Sequence, residues 1–71
     1  MEVWIVVKSK FIDPNIEDLA EKFDEKNLKN SEIIGVFKDE NGAHNLQEEV
    51  MPLYDEDGNE MDVSVEIWEV V

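Results

Sequence analysis

Residues 1–11 read MEVWIVVKSKF, and this stretch decides how the rest of the chain folds. It is rich in β-branched and aromatic side chains, which fit the pleated surface of a strand. Alternation places Val3 and Ile5 on one face of that strand. Trp4 and Val6 fall on the opposite face. A strand with two apolar faces is either central and covered twice by its own chain, or covered on one face by its own chain and on the other by a partner.

The segment after this strand predicts a helix from about residue 14 to residue 27. Asp13 can act as the N-cap, because its carboxylate accepts a free backbone N–H, and Pro14 suits the first helical position because it has no N–H to satisfy. Apolar residues then recur at helical spacing and form one stripe: Ile16, Leu19, Ala20 and Phe23.

Residues 39–52 allow two interpretations. Asn41 and Gly42 lie between apolar runs, which is a hairpin signal. Against the hairpin, three apolar residues recur at helical spacing, and Pro52 pushes the residue before it out of the helical region. Those three residues are Ala43, Leu46 and Val50. We therefore predict a short helix from about residue 41 to residue 50.

Two more strands complete the predicted sheet. Residues 32–38 form the second strand, and residues 60–71 form the last one after a turn at Asp57-Gly58. The last strand alternates clearly, with an apolar face made of Met61, Val63, Val65 and Ile67. The predicted fold is a single α+β domain over residues 1–71: a small single-layer sheet of three to four strands, in β-α-β-α-β order, with one or two helices on one face.

The faces of the first and last strands also bear on assembly. If the helices cover the odd-numbered residues of both strands, the opposite face exposes four apolar side chains: Trp4, Val6, Trp68 and Val70. Monomers rarely leave large apolar patches open. We therefore expect a homodimer that packs through sheet faces or edges, with these residues at the interface. The alternative is that the helices cover the Trp face, or that Phe11 and loop residues fold over it.

Composition restricts the class of partner. The chain has 71 residues, 19 of them acidic and 6 basic, and a formal net charge of −13 at pH 7. A small domain usually carries a charge of magnitude about 2–8. Hydrophobic residues make up 42% of the chain and cluster in strand-like blocks, so we expect a folded domain rather than disorder. Nucleic acid and anionic membranes would be repelled, and basic partners are favoured.

The sequence favours an intracellular compartment. It has no cysteine, and therefore no disulfide framework or Cys-type zinc site. Its first residues contain an acid before the apolar run and a lysine after it, the reverse of a secretory signal peptide. The apolar run at residues 3–7 is far too short to span a bilayer. We expect a cytoplasmic protein.

Signals for enzymatic chemistry are nearly absent, and we predict neither an enzyme nor a cofactor or metal site. His44 is the single histidine, and no serine lies in a G-x-S-x-G elbow. Among so many acids, pairs of carboxylates arise by chance. Gly58 in the sixth position of a calcium loop would put Leu53 first and Ser64 twelfth, where carboxylates are needed.

The distribution of charge is the strongest functional signal. From Asp39 to Val71 there are eleven carboxylates and no lysine, whereas all six lysines lie at or before Lys38. Duplex DNA carries a negative charge about every 1.7 Å along its axis. Carboxylates three or four residues apart on a helix lie about 5–6 Å apart, and alternate residues of a strand about 6.7 Å apart. A rigid acidic domain can thus present rows of charge at spacings similar to those of phosphates.

In size, acidity and absence of cysteine, and in the stretches QEEV and LYDEDGNEMD, the chain resembles phage-encoded DNA-mimic proteins. Members of that functional class occupy the DNA-binding surfaces of restriction enzymes, CRISPR nucleases, uracil-DNA glycosylase or the nucleoid protein HU. The resemblance implies an inhibitor that binds a basic DNA-binding protein in the cytoplasm of a bacterial host, most closely one of the HU type. HU-type proteins bind through backbone charge and deformability, so a mimic needs only charge and shape.

Two groups of acids are the predicted partner-binding residues. The first lies in the lysine-free part: Glu48, Glu49, Asp55, Glu56, Asp57, Glu60, Asp62 and Glu66. The second forms a ridge on the first predicted helix: Glu17, Asp18, Glu21, Asp24 and Glu25. The alternative function is a small protein–protein interaction module or regulator that binds its partner through the apolar Trp4/Trp68 face.

Overall fold

The computed structural model describes residues 1–71. It is a small α+β domain with one three-stranded antiparallel sheet, in the spatial order β2-β1-β3. None of its helices has the length and apolar character needed to cross a bilayer. The elements in chain order are β1 (Glu2–Phe11), α1 (Leu19–Lys22), a 3₁₀ helix (Glu25–Asn27), β2 (Leu28–Phe37), α2 (Glu40–Val50) and β3 (Asp62–Glu69).

The first strand is central in the sheet, but α2 covers only one of its two apolar faces. β1 pairs with β2 along one side and with β3 along the other. Val6, near the middle of β1, is completely buried and forms a core cluster with Ala43 of α2 and Val63 of β3. α2 contacts all three strands and covers the face of the sheet that carries Trp4 and Val6.

The interpretation of residues 41–50 as a helix is confirmed, and a hairpin at Asn41-Gly42 is wrong. Asp39 is the N-cap of α2, and its Oδ1 accepts the Gly42 N–H at 2.6 Å. The amide that a hairpin turn would use is therefore bound inside the cap. The helix also packs close to β2, since a Cβ on Gly35 would lie 2.6 Å from Leu46 Cδ2.

The predicted helix from residue 14 to residue 27 is wrong. Only Leu19–Lys22 is α-helical, and residues 25–27 form a 3₁₀ turn. The N-cap is Asp18 rather than Asp13, with its Oδ1 accepting the N–H groups of Ala20 and Glu21. A helix of one turn gains little by itself, and most helical stability comes from packing an apolar face. Leu19 of the predicted stripe is instead exposed.

The side chain of Asn27 explains why the helix does not continue. Its Nδ2 donates to the carbonyl oxygens of Lys22 at 3.0 Å and Asp13 at 3.1 Å, and its Oδ1 accepts the Asp13 N–H at 2.9 Å. Asn27 is only 7% exposed. Side chains of this type offer the backbone an alternative to helical hydrogen bonds, and here the alternative joins the two ends of the segment.

The other two strands are confirmed with different ends. β2 begins at Leu28, four residues before the predicted start at residue 32, and β3 lies within the predicted range 60–71. The turn between α2 and β3 is also confirmed. Gly58 has φ +82°, which favours glycine, and its N–H donates to the Asp55 carbonyl at 3.1 Å.

The register between β1 and β3 corrects the predicted four-residue apolar patch. Trp4 lies opposite Ile67 and Val3 opposite Trp68. Directly opposite residues share a face, so even-numbered residues of β1 lie with odd-numbered residues of β3. Trp4 and Trp68 therefore point to opposite faces of the sheet. Val6 is buried under α2, so the predicted interface of Trp4, Val6, Trp68 and Val70 cannot form as one surface.

We predict that Asn27→Ala lowers the free energy of unfolding by about 2–3 kcal/mol, because three buried or partly buried backbone groups lose a partner at once. Urea denaturation measures the change. Asn45→Ala on the exposed side of α2 is the matched control, with an expected change within about 0.5 kcal/mol. Equal effects of the two substitutions would contradict the role given to Asn27.

Candidate interaction surfaces

The sheet face opposite α2, which we call the open face, has no helix over it. Val3, Ile5 and Val7 of β1 form its middle, and the register places Val36 and Ile33 of β2 on the same side. Trp68 of β3 lies there too, opposite Val3. The flanking side chains are exposed: Val36 by 60%, Ile33 by 53% and Trp68 by 48%.

A shallow groove of about 390 Å³ runs over this face. Val7, Leu28, Ile33 and Trp68 line it with apolar surface, and Glu25 and Glu66 are its charged residues. No lysine lines it. The Trp68 Nε1–H donates to Glu66 Oε2 at 2.9 Å, which fixes the indole alongside the strand next to a carboxylate. The open face therefore combines exposed apolar side chains with negative charge.

The predicted acids of α2 and β3 differ in their surroundings. Glu48 and Glu49 are exposed in the last turn of α2, which contains no basic residue. Carboxylates at a helix C-terminus are disfavoured by the helix dipole, so these two do not help to hold the helix. Glu66 is exposed on the open face opposite Ile5, whereas Asp62 is partly buried opposite Ser9.

The acids of the loop between α2 and β3 have separate roles. Asp55 Oδ1 accepts the N–H groups of Asp57 and Asn59, each at 2.9 Å, and so shapes the turn. Glu56 pairs with Lys10 at 2.6 Å, which fastens the loop to β1. The hydrogen bond to Glu56 raises the pKa of Lys10, and the bond to Lys10 lowers the pKa of Glu56. Asp57 and Glu60 project into solvent.

The acidic ridge predicted on a long first helix does not exist in that form, because the helix is a single turn. Asp18 caps α1, and Asp24 caps the 3₁₀ helix by accepting the Lys26 N–H at 2.9 Å. All five predicted acids of this segment are exposed. Glu25 reaches the groove of the open face, whereas Glu21 and Asp24 border a different depression.

Much of the positive charge is engaged. Lys8 pairs with Glu32 at 3.3 Å and Lys10 with Glu56 at 2.6 Å. The Lys22 ammonium lies 5.1 Å from the centre of the Phe11 ring and 6.0 Å from that of Phe23. Half of the six lysines thus have a partner within the fold. The net charge of −13 is unchanged by these pairs, because each ion pair removes one charge of each sign.

His44 lies in a surface network rather than near a cluster of reactive groups. Its Nε2 is 3.4 Å from Glu40 Oε1 and its Nδ1 is 3.2 Å from Gln47 Oε1. Gln47 in turn donates to the Val63 carbonyl at 2.8 Å and ties α2 to β3. This arrangement serves the packing of α2, and the prediction that the chain is not an enzyme stays a prediction.

Sequence reasoning missed Ile33, Val36 and Asn27. The first two lie in the run EIIGVF, which is apolar on both faces, and that was the available signal. The partners of Asn27 lie 5 and 14 residues before it, and no local sequence pattern reveals these hydrogen bonds. No protein-family model, curated protein or solved structure matches the chain.

The pKa of Asp62 is raised by burial, which gives a pH-dependent prediction. A carboxyl group with a raised pKa in the folded state contributes most to stability below its unfolded pKa, and that contribution is lost as the pH rises through the folded pKa. Asp62→Asn should therefore unfold at higher denaturant concentration than the wild type at pH 7. The difference should vanish below about pH 3, where the wild-type carboxyl is protonated in both states.

Chemical denaturation across this pH range tests the prediction. Glu60→Gln is the matched control because it makes the same change in net charge two residues away at an exposed position. Stabilisation of equal size in both variants at pH 7 would attribute the effect to reduced charge repulsion and remove the role of burial.

Proposed function

We propose that the protein is a DNA mimic that binds the basic DNA-binding surface of another protein and blocks access of DNA to it. The observation that carries the proposal is the charge of −13, with eleven carboxylates and no lysine or arginine from residue 39 onward. Such an excess lowers the stability of a compact fold through self-repulsion. A surface that is retained despite this cost is best explained by use in binding.

The positions of the exposed acids support the proposal. Glu48 and Glu49 lie on α2, and Glu66 lies on β3. Asp57 and Glu60 lie in the loop that the hydrogen bonds of Asp55 shape. Preorganised charge of this kind replaces the fixed phosphates of a duplex. Lysine and arginine side chains of the target would meet a similar field at similar spacings.

Inhibition requires no chemistry. The negative field accelerates encounter with a basic surface, and the bound domain then excludes DNA from it. Targets that recognise backbone charge and shape, such as HU-like architectural proteins, fit best, because a mimic of them needs no base-like hydrogen-bonding groups. Nucleases and restriction factors with basic clefts are the next class. A phage-encoded inhibitor of this type acts in the cytoplasm of its bacterial host.

We still propose a homodimer, but its two copies pair through a sheet edge and not through the predicted four-residue patch. β2 and β3 are the two edges of the sheet. β3 carries three acids, Asp62, Glu66 and Glu69, and no lysine, whereas β2 carries Lys29 and Glu32. Pairing of β2 with β2 of a second copy therefore brings together the less charged edge.

The proposed function is tested by capture from a bacterial lysate at low salt, followed by elution with a salt gradient and competition with duplex DNA. Basic DNA-binding proteins should be recovered, and duplex DNA should displace the protein from them. Binding should weaken steeply as salt increases, because association releases counterions from the charged surfaces and added salt opposes that release. Binding that is unchanged between low and high salt would contradict the proposal.

A matched pair of double variants locates the contact. Glu48→Gln with Glu49→Gln should lower the slope of log affinity against log salt by about 2, in line with about one unit per charge contact. Glu2→Gln with Glu69→Gln makes the same change in net charge at the far ends of β1 and β3, outside the proposed contact surface. Equal effects of the two pairs would mean that net charge alone determines binding.

The dimer is tested by sedimentation over a wide range of protein concentration. We expect a species of twice the 8.3 kDa chain mass that becomes more populated with added salt, because salt screens repulsion between the two acidic copies. A monomer at every concentration and salt level would exclude the dimer.

A further inference from the structure

We propose that the open face binds a basic amphipathic segment of the target, in which a large apolar side chain is flanked by lysine or arginine. The proposal rests on the proposed function in taking the partner to be basic. It goes beyond that function because a DNA-like field by itself needs no apolar groove.

The composition of the face selects this chemistry. Ile33, Val36 and Trp68 are each about half exposed on a face that α2 does not cover. Desolvating such side chains against an apolar partner is favourable, at roughly 25 cal/mol per Å² of apolar area. Trp68 is of the residue type most enriched among interface residues that dominate binding energy. A purely electrostatic contact would gain nothing from these apolar side chains.

The charges around the groove decide between occupants. Glu25 and Glu66 are the only ionisable residues that line the groove, and its other lining residues are apolar or serine. A second copy on this face would bring its own Glu25 and Glu66 into the same contact, together with a further net charge of −13. Like charges at an interface oppose association, whereas lysine or arginine beside Glu66 would pair with it.

The geometry of Trp68 also favours a bound segment next to Glu66. The indole N–H already donates to Glu66 Oε2, and the other carboxylate oxygen of Glu66 can accept from an incoming cation. A guanidinium or ammonium group at this carboxylate would form a charge-assisted hydrogen bond next to the indole. The apolar side chain of the segment would then enter the groove between Trp68 and Ile33.

Two peptides of equal charge test the proposal directly. One alternates lysine with valine, and the other carries the same number of lysines separated by serine. Trp4→Phe leaves Trp68 as the only tryptophan, so its fluorescence reports on the open face. We expect saturable binding of the valine peptide with a blue shift of Trp68 emission, and about ten-fold or more weaker binding of the serine peptide.

Matched variants assign the contact. Ile33→Ser and Glu66→Lys should each weaken binding of the valine peptide by about ten-fold. Ile67→Ala and Glu69→Lys change exposed neighbours on the opposite face of β3 and should leave it unchanged. Circular dichroism checks that each variant is folded, and the two Ile33 and Glu66 variants are independent of each other.

Three outcomes would overturn the proposal. Equal affinity for the two peptides would show that only charge is recognised. Loss of binding in the Ile67 and Glu69 variants instead of the Ile33 and Glu66 variants would place the segment elsewhere. Self-association abolished by Trp68→Ala, a substitution on β3 and away from the β2 edge, would show that a second copy occupies the face. If the protein still captures DNA-binding proteins while any of these outcomes is observed, the proposed function stands and only the peptide proposal fails. If the valine peptide binds but no DNA-binding protein is captured, only the proposed function is contradicted.

Discussion

The structure depends on one constraint. Its central strand has two apolar faces, but the chain forms only one helix long enough to cover a face. α2 covers the Trp4 and Val6 face of β1, and the core is the small cluster that this contact buries. The other face is bordered by the side chains of neighbouring strands and by Glu25 of the 3₁₀ helix. Ile5 and Val7 are buried there, while the flanking residues that shield them stay exposed. The open face is thus a direct result of how many helices the chain forms.

The failure of the predicted first helix has the same consequence. A helix over residues 14–27 would have supplied a second apolar stripe. The hydrogen bonds of Asn27 to Lys22 and Asp13 hold that segment as a compact loop at the end of the sheet instead. Its apolar residue Phe23 contacts Phe11 edge to face at a centroid distance of 5.5 Å and does not cover the sheet. The segment is thus held as a loop by the Asn27 side chain and supplies no second helix to the sheet.

The sequence predicted those elements whose signals are local. The apolar spacing at residues 43–50 and Pro52 were enough for α2, and alternation was enough for β3. Most of the acids predicted to bind a partner are exposed, but Asp55 and Asp62 are partly buried. The sequence could not combine faces from different strands, because which residues share a face depends on pairing: a shift of one residue would put Trp4 and Trp68 together. The bonds of Asn27 and the Lys10–Glu56 pair join residues distant in sequence, and local patterns do not contain them.

The acids of this protein also divide into those that hold the fold and those that do not. Asp18, Asp24, Asp39 and Asp55 bind backbone N–H groups, and Glu56 and Glu32 pair with lysines. Glu48, Glu49, Asp57 and Glu60 are exposed without such a role in the elements described. The carboxylates that bind backbone N–H groups keep their negative charge, so the two groups of acids differ in their role in the fold rather than in charge.

Ionic strength has two opposite effects on the lysine-free half of the chain. Added salt screens repulsion among the acids and so favours the compact state of the free protein. The same salt weakens attraction between those acids and a basic partner. The solution conditions that make the isolated domain most stable are thus those in which the proposed complex would be weakest, and a dilute buffer would favour the proposed bound form.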